Sequence, residues 1–118
     1  MGGNSVTLLL VCLGGAIGSG ARYLAGAAVP HGTLAVNLTG SFVMALTVGA
    51  MSAGDARIFV TTGILGGFTT YSAFNQETLE LLRSGAWGSA AIHVLGTVIG
   101  CLLAGFVGWW LAATLLRK

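Results

Sequence analysis

The sequence predicts an all-α membrane protein of four transmembrane helices, the third broken near Gly66–Thr70, assembled as an antiparallel, dual-topology homodimer. Three observations carry that expectation. Of the 118 residues 55% are hydrophobic and 7% charged, with a mean hydropathy of +0.91, whereas a soluble domain carries about 25% charged residues. Apolar runs fall at Val6 to Ala28, Thr33 to Met51, Ala56 to Leu82 and Gly88 to Leu116, each long enough for the roughly 20 residues that cross a bilayer core. Basic residues divide almost evenly between the two faces that four spans would create, with Arg57, Arg117 and Lys118 on one and Arg22 and Arg83 on the other.

The first run has no basic segment before it and three similar runs after it, so it is expected to stay as a helix and not be cleaved as a signal peptide. Connections are short: "PHG" around Pro30, "SAGD" before Ala56 and "RSGAWG" after Leu82, where Pro and Gly punctuate helices. No internal repeat or low-complexity tract interrupts the pattern, so residues 1–118 read as one four-span domain. Membrane orientation follows the asymmetry of Lys and Arg between loops. With three against two that bias almost vanishes, so insertion in both orientations is expected, and antiparallel pairing with it. Gly14 with Gly18, and Gly96, Gly100, Ala104 and Gly108, supply small residues that let helix backbones approach closely, within a subunit or across a dimer seam. Cys12 and Cys101 lie inside apolar runs and are expected as free thiols.

Within the fourth run Ser89, His93, Thr97 and Cys101 recur every four residues and form one stripe. Thr33, Asn37 and Ser41 do the same in the second run. Lone hydroxyls such as Thr114 bond their own backbone, but an unpartnered Asn or His in hydrocarbon costs several kcal/mol. Both stripes are therefore expected to face a wet crevice; a packed hydrogen-bond network is the other arrangement they allow.

The third run contains "GGFTTYSAFNQE", Gly66 to Glu77. Gly66 and Gly67 weaken a helix, and β-branched Thr69 and Thr70 add a penalty of a few tenths of a kcal/mol each. A break at that depth frees carbonyls that protein or an ion must satisfy. Two antiparallel copies crossing there would bring the freed carbonyls together as an all-oxygen cage for a hard, sodium-like cation. On spacing alone, a kink held by threonine hydroxyls is the simpler account. Beyond the break Tyr71 and Phe74 share a face. Such a pair packs in a core or against lipid, or its electropositive ring edges receive a small anion without trapping it.

On these residues the chain resembles the Fluc (CrcB) fluoride channels of microbes. The likeness covers nearly the whole length: four short spans, Arg22 near the end of the first, "TLAVNLTGS" with Asn37 in the second, and "GGFTTYSAFNQET", which is similar to the family's "GGxTTFSTF...E". The resemblance implies an antiparallel dimer with two pores that lets fluoride leave passively through the cytoplasmic membrane. It also implies a sodium ion on the dimer axis, held by main-chain oxygens that map to Gly66 and Thr69. The implied fluoride pathway comprises Asn37, Tyr71, Ser72, Phe74, His93, Thr97 and Cys101, with Arg22, Thr70 and Glu77 supporting it. Arg22 would build a positive vestibule or simply snorkel to the interface. Glu77 is awkward beside an anion, unless threonines or water hold it. Tyr71 stands where the family has Phe, Ala73 where it has Thr and His93 where it has Tyr. Imidazole can change its charge near neutral pH, so a protonated His93 is expected to hold anions more tightly.

Other classes fit less well. A small proton-coupled multidrug exporter keeps an acid in its first span, but Asp55, Glu77 and Glu80 all lie elsewhere. A non-transporting assembly subunit would need the polar stripes only for packing. The motifs HExxH, GxSxG and a phosphate loop are absent, and the Gly18 and Gly20 pair runs into Tyr23 where a dinucleotide fingerprint needs a third Gly. No enzyme and no nucleic-acid partner is expected.

Overall fold

The computed structural model describes residues 2–116, and all regular structure among them is helical. Helix α1 spans Gly2–Ala28 and α2 spans Gly32–Ala50. They are joined by a tight turn in which His31 adopts a left-handed conformation, φ 54°, one that His tolerates better than most side chains. The third apolar run is not one rod. It begins with the short α3, Asp55–Ile58, continues as a π-helical segment, Phe59–Leu65, and makes a last turn as α4, Gly66–Phe68. After two extended residues it resumes as α5, Tyr71–Arg83. Helix α6 spans Trp87–Leu111 and runs into a π-helical end, Ala112–Leu116. Three stretches are long and apolar enough to cross a membrane by themselves: Gly3–Ala28, Gly32–Ala50 and Trp87–Leu116. Arg117 and Lys118, which entered the charge balance, lie outside the described residues.

The break sits at the C-terminal edge of the expected window. Gly66 keeps helical angles, φ −61° and ψ −38°, while Thr69 (φ −82°, ψ 154°) and Thr70 (φ −148°, ψ 112°) are extended. The threonines, and not the glycines, thus form the interruption, as their β-branched side chains favour extended backbone. Gly67 instead serves packing: a Cβ there would meet the Gly15 carbonyl oxygen at 2.6 Å. Thr70 then caps the new helix by accepting the Ala73 N–H at 3.2 Å. The far end of α5 closes with a Schellman arrangement, Ala86 N–H to Leu81 O at 2.9 Å and Gly85 N–H to Leu82 O at 3.1 Å, which requires the positive φ of Gly85.

Helix α1 packs on the π-helical segment and α4, and α2 packs on α6. At Gly14 an added Cβ would stand 2.8 Å from the Gly63 Cα, and at Gly18 it would enter the Ile64 carbonyl. This glycine pair therefore packs inside the subunit. Gly108 is crossed in the same way by the Phe42 backbone, but Gly96 faces open space. The buried apolar core is small: Val36, Leu65, Phe74, Ala90 and Ala112. Leu8, Leu9 and Leu13 of α1 and Ile92, Leu95 and Leu102 of α6 are exposed. Each such side chain left in water forgoes about 1.5–3 kcal/mol of burial, so these surfaces suit lipid or a second copy.

Candidate functional site

The site is built around the two extended residues at the break, where side chains replace several of the lost helical bonds. Asn37, 8% exposed on α2, bridges the Thr70 backbone. Its Oδ1 accepts the Thr70 N–H at 2.8 Å and its Nδ2 donates to the Thr70 carbonyl at 3.0 Å. Arg22 reaches from α1 and donates Nε–H to the Gly67 carbonyl at 3.0 Å. The Leu65 carbonyl accepts both the N–H and the hydroxyl of Thr69, each at 3.0 Å.

The break takes the helical donors from the carbonyls of Gly66, Gly67, Phe68 and Thr69. In an unbroken helix Gly66 O would accept the Thr70 N–H and Thr69 O the Ala73 N–H, from the i to i+4 rule. Here the first donor is turned to Asn37 and the second to the Thr70 hydroxyl. Arg22 takes the Gly67 carbonyl, so Gly66 and Thr69, along with Phe68, present oxygens whose helical donors have left. Neutral carbonyl oxygens are the donor type a hard cation takes. Among the described residues no cluster of three or more His, Cys, Asp or Glu could hold a metal.

Beside the break lies an open cavity of about 410 Å³. Asn37 and Ser41 of α2, Thr69 and Thr70 of the break, Tyr71 and Phe74 of α5, and Thr97 and Cys101 of α6 contribute to its lining. Asn37 and Ser41 of one stripe and Thr97 and Cys101 of the other therefore face one space, while Thr33 lines a separate pocket. The two aromatic rings differ in exposure: Phe74 is 7% exposed and Tyr71 80%, in an edge-to-face pair with centroids 5.5 Å apart. A larger cavity, about 720 Å³, is lined by His31, Glu77, Glu80, Ser89 and His93. Thr97 lines both cavities, so the polar surface of α6 runs on from one to the other.

Two supporting residues acquire specific partners. The Thr33 hydroxyl donates to Glu77 Oε1 at 2.5 Å, so the carboxylate is held by a residue of the α2 stripe. His93 Nε2 stands 3.4 Å from Glu77 Oε2, out of hydrogen-bond alignment, and is a buried polar atom without a hydrogen-bond partner among the described residues. The His93 ring also lies against Phe74, centroids 5.2 Å apart. Ser72 is not brought to these cavities. It faces a separate hollow of about 330 Å³ with Asn75, Gln76 and Arg83, and its hydroxyl lies 3.3 Å from that of Thr70. Arg22 lines another pocket with Ser19, Tyr23 and Thr33. Its bond to a main-chain carbonyl was not legible in sequence, because only the fold brings α1 across the break. Cys12 and Cys101 are free thiols, and Thr114 bonds back to the Trp110 carbonyl at 2.9 Å.

A family model described as "CrcB-like protein, Camphor Resistance (CrcB)" matches residues 9–109. A protein of Anaeromyxobacter sp. (strain K) named "Fluoride-specific ion channel FluC" is 51% identical, the match covering 94% of this chain and 94% of that protein. Proteins of the same name from Chelativorans sp. (strain BNC1) and from a strain of Thermus thermophilus are 47% and 45% identical, over 92% and 91% of this chain and 98% and 94% of theirs. With a match to most of its length by the family model and such identity to full-length relatives, this chain belongs to the CrcB family.

Proposed function

We propose that the chain is a fluoride-selective passive channel, a multi-pass protein of the cytoplasmic membrane that exports fluoride. Its relatives carry the name of a fluoride-specific ion channel. The observation that carries the reading is a pair of cavities that share Thr97 in their lining, with Asn37, Phe74 and Cys101 on one and His93 on the other. Fluoride is small, holds water tightly and accepts hydrogen bonds strongly. A path for it must replace hydration with several weak donors and avoid one deep trap. The Thr97 hydroxyl, the Asn37 amide and the edges of Phe74 and Tyr71 are donors of that kind.

In this reading the third run, although broken, counts as a fourth span, and two copies pair antiparallel in dual topology with one pathway each. The oxygens of Gly66 and Thr69 from both copies would hold a sodium ion on the dimer axis. Their diverted helical donors support this assignment. When bound, the cation supplies positive charge beside the pathways and fastens the two breaks together. Asn37 and Thr70 keep the carbonyls available by taking the competing N–H groups. The exporter alternative gains no support, since α1 carries no acidic residue.

Fluoride-electrode efflux from liposomes, with sodium present or replaced by a bulky organic cation, tests the proposal. Selective fluoride release that falls when sodium is withdrawn is expected. A folded dimer without flux would leave an assembly subunit, and proton-coupled cation uptake would establish an exporter.

A further inference from the structure

The second cavity sets His93 of the pathway against Glu77, a contact to which the fluoride reading gives no role. We propose that His93 and Glu77 share one proton at the mouth of the pathway and that this proton sets whether the mouth repels or admits an anion. The inference rests on the channel reading for its consequence and on the geometry for the pair.

Glu77 Oε1 is taken by the Thr33 hydroxyl, which leaves Oε2 as the oxygen turned to His93 Nε2, 3.4 Å away. That nitrogen is buried and unpartnered among the described residues, and a buried polar atom without a partner is costly. In the tautomer that keeps its neutral proton on Nδ1, Nε2 is an acceptor facing an acceptor; proton uptake from water there makes it a donor facing a carboxylate, which a movement of a few tenths of an ångström closes into a charge-assisted bond. The other titratable groups on this cavity are Glu80, also on α5, and His31 of the α1–α2 turn. Glu80 is exposed and accepts a bond from Gln76 at 3.2 Å, so it leaves the pairing to Glu77.

The pair changes what protonation of His93 does. A lone imidazolium would be a positive trap for anions, as the sequence alone suggests. Beside Glu77 the added proton cancels a negative charge. The unprotonated pair carries one net negative charge at the mouth, and the protonated pair carries none. Fluoride entry is therefore easier at lower pH, and at higher pH the proton returns to water and the carboxylate repels the anion.

Efflux at pH 5.5, 6.5 and 7.5 from liposomes holding the wild-type chain, His93→Gln or Glu77→Gln tests this, after subtracting passage of hydrogen fluoride through protein-free liposomes. Wild-type flux is expected to rise about tenfold from pH 7.5 to 5.5, the scale of one screened charge at a narrow mouth. His93→Gln should be flat with pH. Glu77→Gln should reverse the trend, because its imidazolium then stands alone. Parallel pH profiles in all three would overturn the proposal. Nuclear magnetic resonance of the His93 ring nitrogens in detergent gives a readout independent of transport. At pH 5.5 Glu77→Gln should remove the hydrogen-bond signature of His93 Nε2, and an unchanged spectrum would overturn the pairing. A spectrum that changes in a protein that passes no fluoride at any pH would uphold the pair and sink the channel reading instead.

Discussion

Asn37 grips Thr70 by both ends of its amide, accepting the N–H at 2.8 Å and donating to the carbonyl at 3.0 Å. A helix that stops inside an apolar layer strands its peptide groups, and in lipid no water repays them. One amide side chain has the two groups needed to replace both bonds of a single residue. The same contact turns the Thr70 N–H away from Gly66. Closing the break and exposing a carbonyl are thus one event.

Asn37→Leu removes both bonds at once. It should lower the stability of the folded chain in detergent by about 1–3 kcal/mol, since the part-buried Thr70 N–H loses its partner while the Thr70 carbonyl, as N-cap of α5, keeps its helical one, and should abolish any stabilisation by sodium. Asn37→Asp keeps the acceptor and loses the donor, and should fall between. Thermal unfolding with and without sodium is the measurement; an Asn37→Leu chain as stable and as sodium-responsive as the wild type would overturn this role.

Arg22 offers a contrast between two roles. As a ligand of the Gly67 carbonyl it contributes on the order of 1–2 kcal/mol, lost in Arg22→Ala at any salt concentration. As a distant vestibule charge its effect would be on flux and would vanish by about 1 M salt, where screening is complete within 3 Å. The unfolding midpoint of Arg22→Ala at low and high salt separates the two, and a salt-independent drop is expected.

Gly18 and Gly96 have the same letter and opposite surroundings. Gly18→Ala drives a methyl group into the Ile64 backbone and should cost about 1–3 kcal/mol, as overpacking does. Gly96→Ala meets nothing within 4 Å and should change monomer stability by less than about 0.5 kcal/mol. If instead Gly96→Ala shifts the monomer–dimer equilibrium measured by analytical ultracentrifugation, the open face of α6 is the seam.

Phe74 is the buried member of the aromatic pair. Phe74→Ile keeps the site apolar and removes the electropositive ring edge. Fluoride flux should drop at least about tenfold, equivalent to 1.4 kcal/mol in the barrier. Selective flux retained in this variant would end the ring-edge account.

The sequence by itself determined the apolar runs, the residues that share each helix face and the neighbourhood of the break. These depend on composition and on the 3.6-residue period, which are local properties. Both polar stripes were legible for that reason, and the structure sets all of their residues but Thr33 on the two cavities that share Thr97. The break lies within the expected window, at its C-terminal end, because packing holds the glycines in the helix: Gly67 stays helical where Gly15 crosses it, and Thr69 and Thr70 open the chain. The π-helical form of Phe59–Leu65 left no mark in the pattern, since one extra residue per turn hardly alters an apolar run. Only the tertiary structure decided which stripe meets which break. It assigned Asn37 to Thr70, Arg22 to Gly67 and Glu77 to Thr33 and His93, and it turned Ser72 away. Those pairings join residues of different helices, and a helical period fixes the direction of a side chain about its own axis while saying nothing of the neighbour it will find there.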